Sequence, residues 1–498
     1  MSQKNRLARK AVRKSIRRAN RKRKEASRKA NKEVLAAIQN EFLPDDKIFA
    51  KLKFHGNTTW SPSALIWMAL YWSLSEVQNL THAFTDAMEQ SVIMTGTSPL
   101  TTYQGFMWAL VKWTPAFIEL LCHRVQAVVE ESGSKFWRVG EWVPIAFDGS
   151  RSTAPRTKSN EKNLCAPNYG KGTTARHRKK KSKGMRRKNN QKNKPQPQEP
   201  QAWITMMYHT SLRLPWMWRL GPSNSSEREH VMDMVSQGKF PKNTMFCGDA
   251  GFVGYALWKS MLDIGQNFIV RVGANVNLLS EVVDYSEQED GTVLCWPKDR
   301  IKSGEPPLRL RLVNVRFGKT KVWLLTSVLD SERLDINQMK IFYELRWRVE
   351  VEFRGLKQTM NRAKLRCHNS QRLLAELNWA IMAMTLIELF ALQKQLSRKC
   401  SESCPDEQPP DPKKRSLANV VRAFRQCLRR LDQVPREGKD LHTLLEQAVT
   451  DSYVRKAPKE ARYRPPNPDK KPLGDPKVRT LTDHEREKLA KIDEKLAV

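Results

Sequence analysis

Apolar positions divide the chain into helical, then alternating, then helical stretches. From Asn31 to about Ser134 they recur at helical spacing. Ser61-Pro62 is an N-cap and first-position pair that opens a helix running through Ser75. Beyond Trp142 the period shortens. Trp142–Asp148, Ala202–His209, Pro215–Gly221, Thr244–Asp249 and Asn267–Val272 read as strands, with Pro144 tolerable near a strand start. Between them Ser226-x-x-Glu229 is a capping box opening a helix toward Val235, and Tyr255–Leu262 is a second helix. Residues 273–330 are strand-like, with V-L-C-W at 293–296 and L-R-L-R-L-V-N-V-R at 308–316. Their alternation predicts an antiparallel insert. Helices return at Tyr343–Lys357 and Gln371–Leu396. Ser401–Arg415 is a Pro- and acid-rich linker. Leu417–Leu431 is an amphipathic helix with Arg422, Arg425, Arg429 and Arg430 on or near one face, and a short helical stretch ends the chain at 483–496.

Composition adds a partner. The chain has 498 residues, enough for several domains, and its 40% hydrophobic content is that of a globular protein. Net charge is +36 and unevenly spread. Residues 1–32 carry 15 Lys and Arg against Glu25, and residues 151–201 carry 16 against Glu161 and Glu199. These two segments hold +28 of the total, so the body is only mildly basic and the excess points to a polyanion, most simply nucleic acid. The first reads as a DNA-contacting arm, because its Lys and Arg stay dense past any presequence helix and no apolar core makes it a secretory signal. The second, with H-R-K-K-K-S-K-G-M-R-R-K at its middle, reads as a loop too long and polar to pack. Eight cysteines lie scattered, with only Cys400 and Cys404 close, as expected of a reduced cytosolic protein. The apolar run Leu373–Leu392, interrupted by Glu376, Asn378 and Glu388, reads as a buried core helix rather than a membrane span. Trp60, Trp67, Trp72, Trp108 and Trp113 read mostly as core of the N-terminal helices.

The candidate chemistry sits on Tyr343–Lys357. At about 100° per residue, with Tyr343 at zero, Arg346 falls near 300°, Glu350 near 340° and Lys357 near 320°. Leu345, Val349, Phe353 and Leu356 lie beside that arc, while Glu352 falls near 180° and Glu344 near 100°. Four groups able to work on phosphate thus share one edge of an expected single helix, although a surface helix with ordinary salt bridges has the same pattern. Asp148, in Asp-Gly-Ser, and Asp249, in Asp-Ala-Gly-Phe, stand at the ends of two expected strands. Either alone would read as a turn; two such acids and Glu350 together favour a site.

The spacing Tyr343-x2-Arg346-x3-Glu350-x6-Lys357, with Asp148-Gly-Ser150 and Asp249-Ala-Gly251-Phe252 upstream, resembles the DDE transposases of bacterial insertion sequences, the insertion-sequence-four family with the Tyr-Arg-Glu-Lys signature. The resemblance spans roughly residues 50 to 395. Propensity alone gives α/β; the resemblance implies a ribonuclease H-like catalytic core with an inserted antiparallel β subdomain, a helical N-terminal domain before it and a helical, basic C-terminal region after it. The implied division is a basic disordered arm 1–32, a helical DNA-binding domain 33–135, a catalytic domain 140–396 with basic loop 151–201 and β insertion about 273–330, a linker 401–415 and a C-terminal region 416–498. It implies Asp148, Asp249 and Glu350 as catalytic residues and ligands of two Mg²⁺, with Mn²⁺ able to substitute. Oxygen donors suit these hard cations, which help a nucleophilic oxygen approach an anionic phosphodiester. Tyr343, Arg346 and Lys357 would contact the transposon end, and Trp296 would stack on a flipped base, with Trp323 as the other candidate and a core Trp as the competing reading. The implied function is cut-and-paste transposition: binding of inverted repeats in double-stranded DNA, cleavage, and strand transfer to target DNA by a homodimer in the cytoplasm, associated with the nucleoid. The rivals are a metal-dependent nuclease of the same fold that does not rejoin, and an inactive nucleic-acid-binding derivative.

Overall fold

The structure, a computed structural model, describes residues 29–131, 136–165, 199–282, 285, 289–318, 320–397, 411–450 and 473–497. The middle of the basic loop, most of the N-terminal arm, and Cys400 and Cys404 lie outside them. The chain forms two compact units.

The first unit gathers the N-terminal residues, 358–362 and 371–450. Its helices are Asn31–Phe42, Pro62–Leu74, Leu80–Thr95, Tyr103–Glu131, most of Ser370–Leu396, Leu417–Leu428 and Leu441–Glu446. Asn31 and Lys32, expected in the arm, begin the first helix, and the Asn31 side chain donates to the Arg430 carbonyl at 2.8 Å. Ser61 caps its helix as expected, accepting from the Ala64 N–H. Trp72 is fully buried and Trp108 is exposed. Two helices, Tyr103–Glu131 and Ser370–Leu396, are long and apolar enough to cross a membrane; the apolar stretch of the second is 89% buried inside the protein, as in a core helix. Its acids are compensated inside that core. Glu388 meets Arg415 at 3.3 Å with both side chains fully buried, and Glu376 meets Arg362 at 3.7 Å. Arg415, expected to close an exposed linker, is therefore a core residue: a buried carboxylate needs a buried cation. This division places Ser370–Leu396 largely with the helical unit, whereas the sequence reading ran the catalytic domain through it.

The second unit is a mixed α/β body on one ten-stranded sheet. Its strands are β1 (Val143–Thr153), β2 (Gln201–His209), β3 (Leu214–Gly221), β4 (Thr244–Gly248), β5 (Asn267–Val272), β6 (Asn277–Ser280), β7 (Asp290–Cys295), β8 (Leu308–Phe317), β9 (Thr320–Thr326) and β10 (Lys477–Thr480). Its helices are α1 (Lys158–Leu164), α2 (Glu227–Gln237), α3 (Tyr255–Asp263), α4 (Lys298–Ser303), α5 (Ile336–Arg346), α6 (Arg348–Arg354) and α7 (Asp483–Ala497). The spatial order is β10-β6-β7-β8-β9-β5-β4-β1-β2-β3. β4 lies parallel to both β1 and β5, while β2 and β3 continue antiparallel from β1.

Alternation along β1 gives each face its own core. Val143, Ile145 and Phe147 pack with Phe246, Val231 and Met234, so α2 covers that face. Ala146 joins Met245, Cys247 and Ile269 on the other face under Met339 and Phe342 of α5. Strands buried on both sides read as near-continuous apolar runs, as β1 and β4 do.

Four expectations need correction. β1 continues to Thr153, so Asp148 lies mid-strand rather than at its end. It pairs with Met206 across an antiparallel ladder, which excludes a turn at Asp-Gly-Ser. The basic loop is folded at its start: Arg151–Thr153 belong to β1, and α1 follows with Asn160 fully buried and bonded to the Pro155 and Cys367 carbonyls. The β insert is antiparallel as expected, yet it extends the core sheet, because β9 pairs with β5. The basic tail adds a strand: β10 pairs in parallel with β6, and Leu481 and Leu489 bury against Leu279, Leu294 and Trp296.

Candidate active site

Strand register brings the first two acids together. β1 and β4 run parallel with Ala146 opposite Cys247. Asp148 follows in β1 and Asp249 directly after the end of β4, close enough that the Asp249 charge acts on Asp148. Both carboxylates are held by adjacent backbone. Asp148 Oδ1 accepts from the Gly149 N–H at 2.8 Å, and Asp249 Oδ1 from the Gly251 N–H at 2.7 Å. Phe252 anchors the loop after β4 by packing on Phe147, and Asn275 donates to the Ala250 carbonyl at 2.7 Å.

The third acid comes from the helices over that face, but not from one regular helix. α5 ends at Arg346, Trp347 makes the joint, α6 ends at Arg354, and Gly355–Thr359 winds as a π turn. One acid departs from its expected exposure. Glu352, expected at about 180° on a solvent face, is buried, and its Oε2 accepts from the Tyr208 hydroxyl at 3.1 Å. Within reach of the joint the expected arc survives. Arg346 Nη1 donates to Glu350 Oε1 at 3.3 Å, and its guanidinium lies 5.7 Å from the Tyr343 ring centre. The Tyr343 hydroxyl accepts from Arg271 at 3.3 Å. Arg346 is 7% exposed, yet its Nε lacks a hydrogen-bond partner among the described residues. A buried donor without an acceptor is costly, which suits a group awaiting an anion. Lys357, on the π turn, is partly buried, and burial together with the nearby Arg151 charge holds its ammonium below the usual lysine range.

Electrostatics links the three acids. Burial pushes the Asp148 carboxyl up to about 7; the charges of Asp249 and Glu350 add to the rise, while the Gly149 N–H and Arg346 oppose it. A carboxyl whose ionisation is made costly by burial and by two neighbouring acids is one that a hard divalent cation relieves. Among the described residues, no three His, Cys, Asp or Glu side chains are grouped tightly enough to hold a metal ion. The donor chemistry fits such a cation; the carboxylates would have to draw together around it.

Two residues escaped the sequence reading. Glu227, the first residue of α2, brings a fourth carboxylate to β1 from the opposite face. A Cβ on Gly149 would collide with the Glu227 carboxylate, so this glycine is what lets it approach. Burial, then the Asp249 charge, raises the Glu227 carboxyl above the ordinary range. The capping box already fixed its place at a helix start, but nothing in the sequence said which strand that start would face. Arg151, assigned to the loop, sits on β1 with its guanidinium 4.1 Å from the Trp203 ring centre and its charge felt at both Glu227 and Lys357.

Trp296 does not join the site. It is 3% exposed, packs with Leu279, Leu294, Leu481 and Leu489, and donates its indole N–H to the Glu305 carbonyl at 2.8 Å. The core reading replaces base stacking here. Trp323 is partly buried on the main core and bonds Asp475 at 2.8 Å.

Residues 144–386 match the family model described as the transposase DDE domain, a stretch that contains all three acids and the Tyr343–Lys357 segment. That stretch is similar to the transposase DDE domain. The match implies an enzyme that cuts and transesterifies DNA phosphodiesters. Among solved structures it is similar to the piggyBac transposase synaptic complex with hairpin DNA determined by cryo-EM. The identity is 11%, the TM-score 0.39, and the match covers 85% of this chain and 86% of that one. No curated protein matches it.

Proposed function

We propose that this DDE transposase moves an insertion sequence by cut-and-paste: it binds inverted repeats at the element's ends, cleaves there with Mg²⁺, and joins the freed ends to new DNA. The observation that carries the proposal is the meeting of Asp148 and Asp249, through the β1–β4 register, with Glu350 and its Arg346 partner from the overlying helices. The order β3-β2-β1-β4-β5, with β2 antiparallel and β4 and β5 parallel to β1, supports a ribonuclease H-like core. The contacts among Tyr343, Arg346 and Glu350 support membership of the insertion-sequence-four group.

Asp148, Asp249 and Glu350 would hold the divalent cation, which when bound supplies charge neutralisation and activation of the attacking oxygen. This chain's own groups do the rest. Arg346, with its free Nε donor, takes a non-bridging phosphate oxygen while keeping Glu350 oriented. Tyr343 contributes a hydroxyl beside it, and Lys357 with Arg151 adds positive charge where β1 ends. Bridging two element ends calls for two copies of the chain, and the reaction takes place where the element resides, on the nucleoid in the cytoplasm.

The test is a joining assay. A labelled duplex carrying the element's terminal repeat is incubated with supercoiled plasmid and Mg²⁺. Covalently joined plasmid is the expected product. Nicked or linearised DNA without joining favours the nuclease reading, and binding without either favours an inactive derivative.

A further inference from the structure

Beside the loop that carries Asp249 lies a cavity of about 770 Å³ that the proposed chemistry does not use. Arg228, Lys298, Lys477 and Arg479 rim it, its floor is apolar, and among the described residues no carboxylate lines it. Four cations converge from three elements: α2, the start of α4, and alternate positions of β10, whose pairing with β6 builds one wall. The last contribution is unexpected, since it comes from the far C-terminal tail. All four are exposed, and Arg479 is also held by Glu485 at 2.6 and 2.7 Å. The cavity also touches the active site through the backbone. Val253, Gly254 and Tyr255 line it directly after Asp249-Ala-Gly-Phe, and the Arg228 guanidinium, next to Glu227, donates to the Val253 carbonyl at 2.9 Å.

We infer that this cavity binds the sugar-phosphate backbone of a DNA strand adjacent to the cut, independently of base sequence, with the C-terminal strand supplying part of its charge. This rests on the DNA-cutting role above and adds a place for the strand. The charge decides the occupant. Converging cations of which Arg479 alone is paired with an acid repel a basic partner and match an anionic polymer, and a position contiguous with Asp249 puts that polymer next to the bond to be cut. Each ammonium that neutralises a phosphate releases condensed counterions, so it adds about one to the slope of log affinity against log salt.

The test measures that slope for the full chain, in EDTA, on a fluorescent duplex ending in the terminal repeat. Lys298→Gln/Lys477→Gln should lower the slope by about two and weaken binding at every base sequence tried, with an unchanged melting temperature because both side chains are exposed. Lys491→Gln/Lys495→Gln, which removes the same charge from α7 outside the cavity, should leave the slope at the parent value. An unchanged slope in the first variant, or an equal drop in both, overturns the inference. Should the parent itself bind without salt dependence, the DNA-cutting role fails first, and the two failures are told apart.

Discussion

Asp148→Asn tests the electrostatics of the site without requiring any reaction. In the folded chain the Asp148 carboxyl is pushed from an ordinary 3.8 to about 7. Burial is the largest cause, with the Asp249 and Glu350 charges adding to it. A carboxyl raised in the folded state destabilises the fold once it must ionise. The loss begins as pH rises above about 4 and is complete above about 7. At ~1.36 kcal/mol per pH unit that gap corresponds to a ceiling of about 4 kcal/mol. The site is open on one side and neighbouring groups relax, so about 2 kcal/mol is the working expectation. Asparagine keeps the oxygen that accepts from the Gly149 N–H and removes the charge. In EDTA at pH 8 the variant should melt roughly 4–8 °C above the parent, at about 2–4 °C per kcal/mol. The advantage should shrink steadily toward pH 4. With saturating Mg²⁺ the order should reverse, because the parent gains a ligand-bound state the variant lacks. Thermal melts across pH, with and without Mg²⁺, measure all of this. An Asp148→Asn protein less stable than the parent at pH 8 in EDTA, or a gain that ignores pH, would refute the reasoning.

Other expectations follow from particular contacts. Glu352→Gln disturbs a buried carboxylate bonded to Tyr208 and should cost about 1–3 kcal/mol of stability, read as a lower melting temperature; Glu344→Gln, on an exposed position, should stay within about 0.5 kcal/mol of the parent. Gly149→Ala sets a Cβ against the Glu227 carboxylate, whose Cγ would stand 2.8 Å away. It should leave the protein folded, at a cost of about 1–3 kcal/mol, while slowing cleavage; an unchanged rate would remove Glu227 from the site. Deleting residues 1–28 should flatten the salt dependence of DNA binding, as a backbone-contacting arm requires, without loss of melting temperature. The deletion stops there because Asn31 is bonded to Arg430.

What the sequence disclosed, and what it hid, follows from range. Period and capping located β2 to β5 and the helices between them, because those signals are local: Ser226 does accept from the Glu229 N–H, and β5 spans Asn267–Val272 as expected. Asp148 and Asp249 were identified as a pair by type, but their adjacency depends on parallel pairing of two strands separated by some hundred residues, which no local pattern encodes. The helical wheel placed Arg346 with Glu350 because four residues span little more than a turn. It did not foresee the burial of Glu352, because what covers that position is Tyr208 of β2, a partner 144 residues away. Trp296 carried two readings of equal standing until its neighbours were known; the stretch after β10, hidden beyond a Lys- and Pro-rich tail, supplies the Leu481 and Leu489 that bury it. Glu388 and Arg415 show the same limit. A charge inside an apolar helix signals a buried partner, yet its identity lies 27 residues away in what reads as a linker.

The most direct test of the three-acid site is single-turnover cleavage of an end-containing duplex by Glu350→Gln and Glu344→Gln, two neighbouring, chemically identical changes. Glu350→Gln keeps the side-chain volume and an acceptor for Arg346 but loses the negative charge. Its Mg²⁺-dependent cleavage should fall by roughly 10³-fold or more, a loss of about 4 kcal/mol in transition-state stabilisation, while binding of the DNA end stays within a few-fold of the parent. Glu344→Gln should cleave like the parent. Cleavage that survives Glu350→Gln would contradict the assignment of Asp148, Asp249 and Glu350 as the catalytic centre.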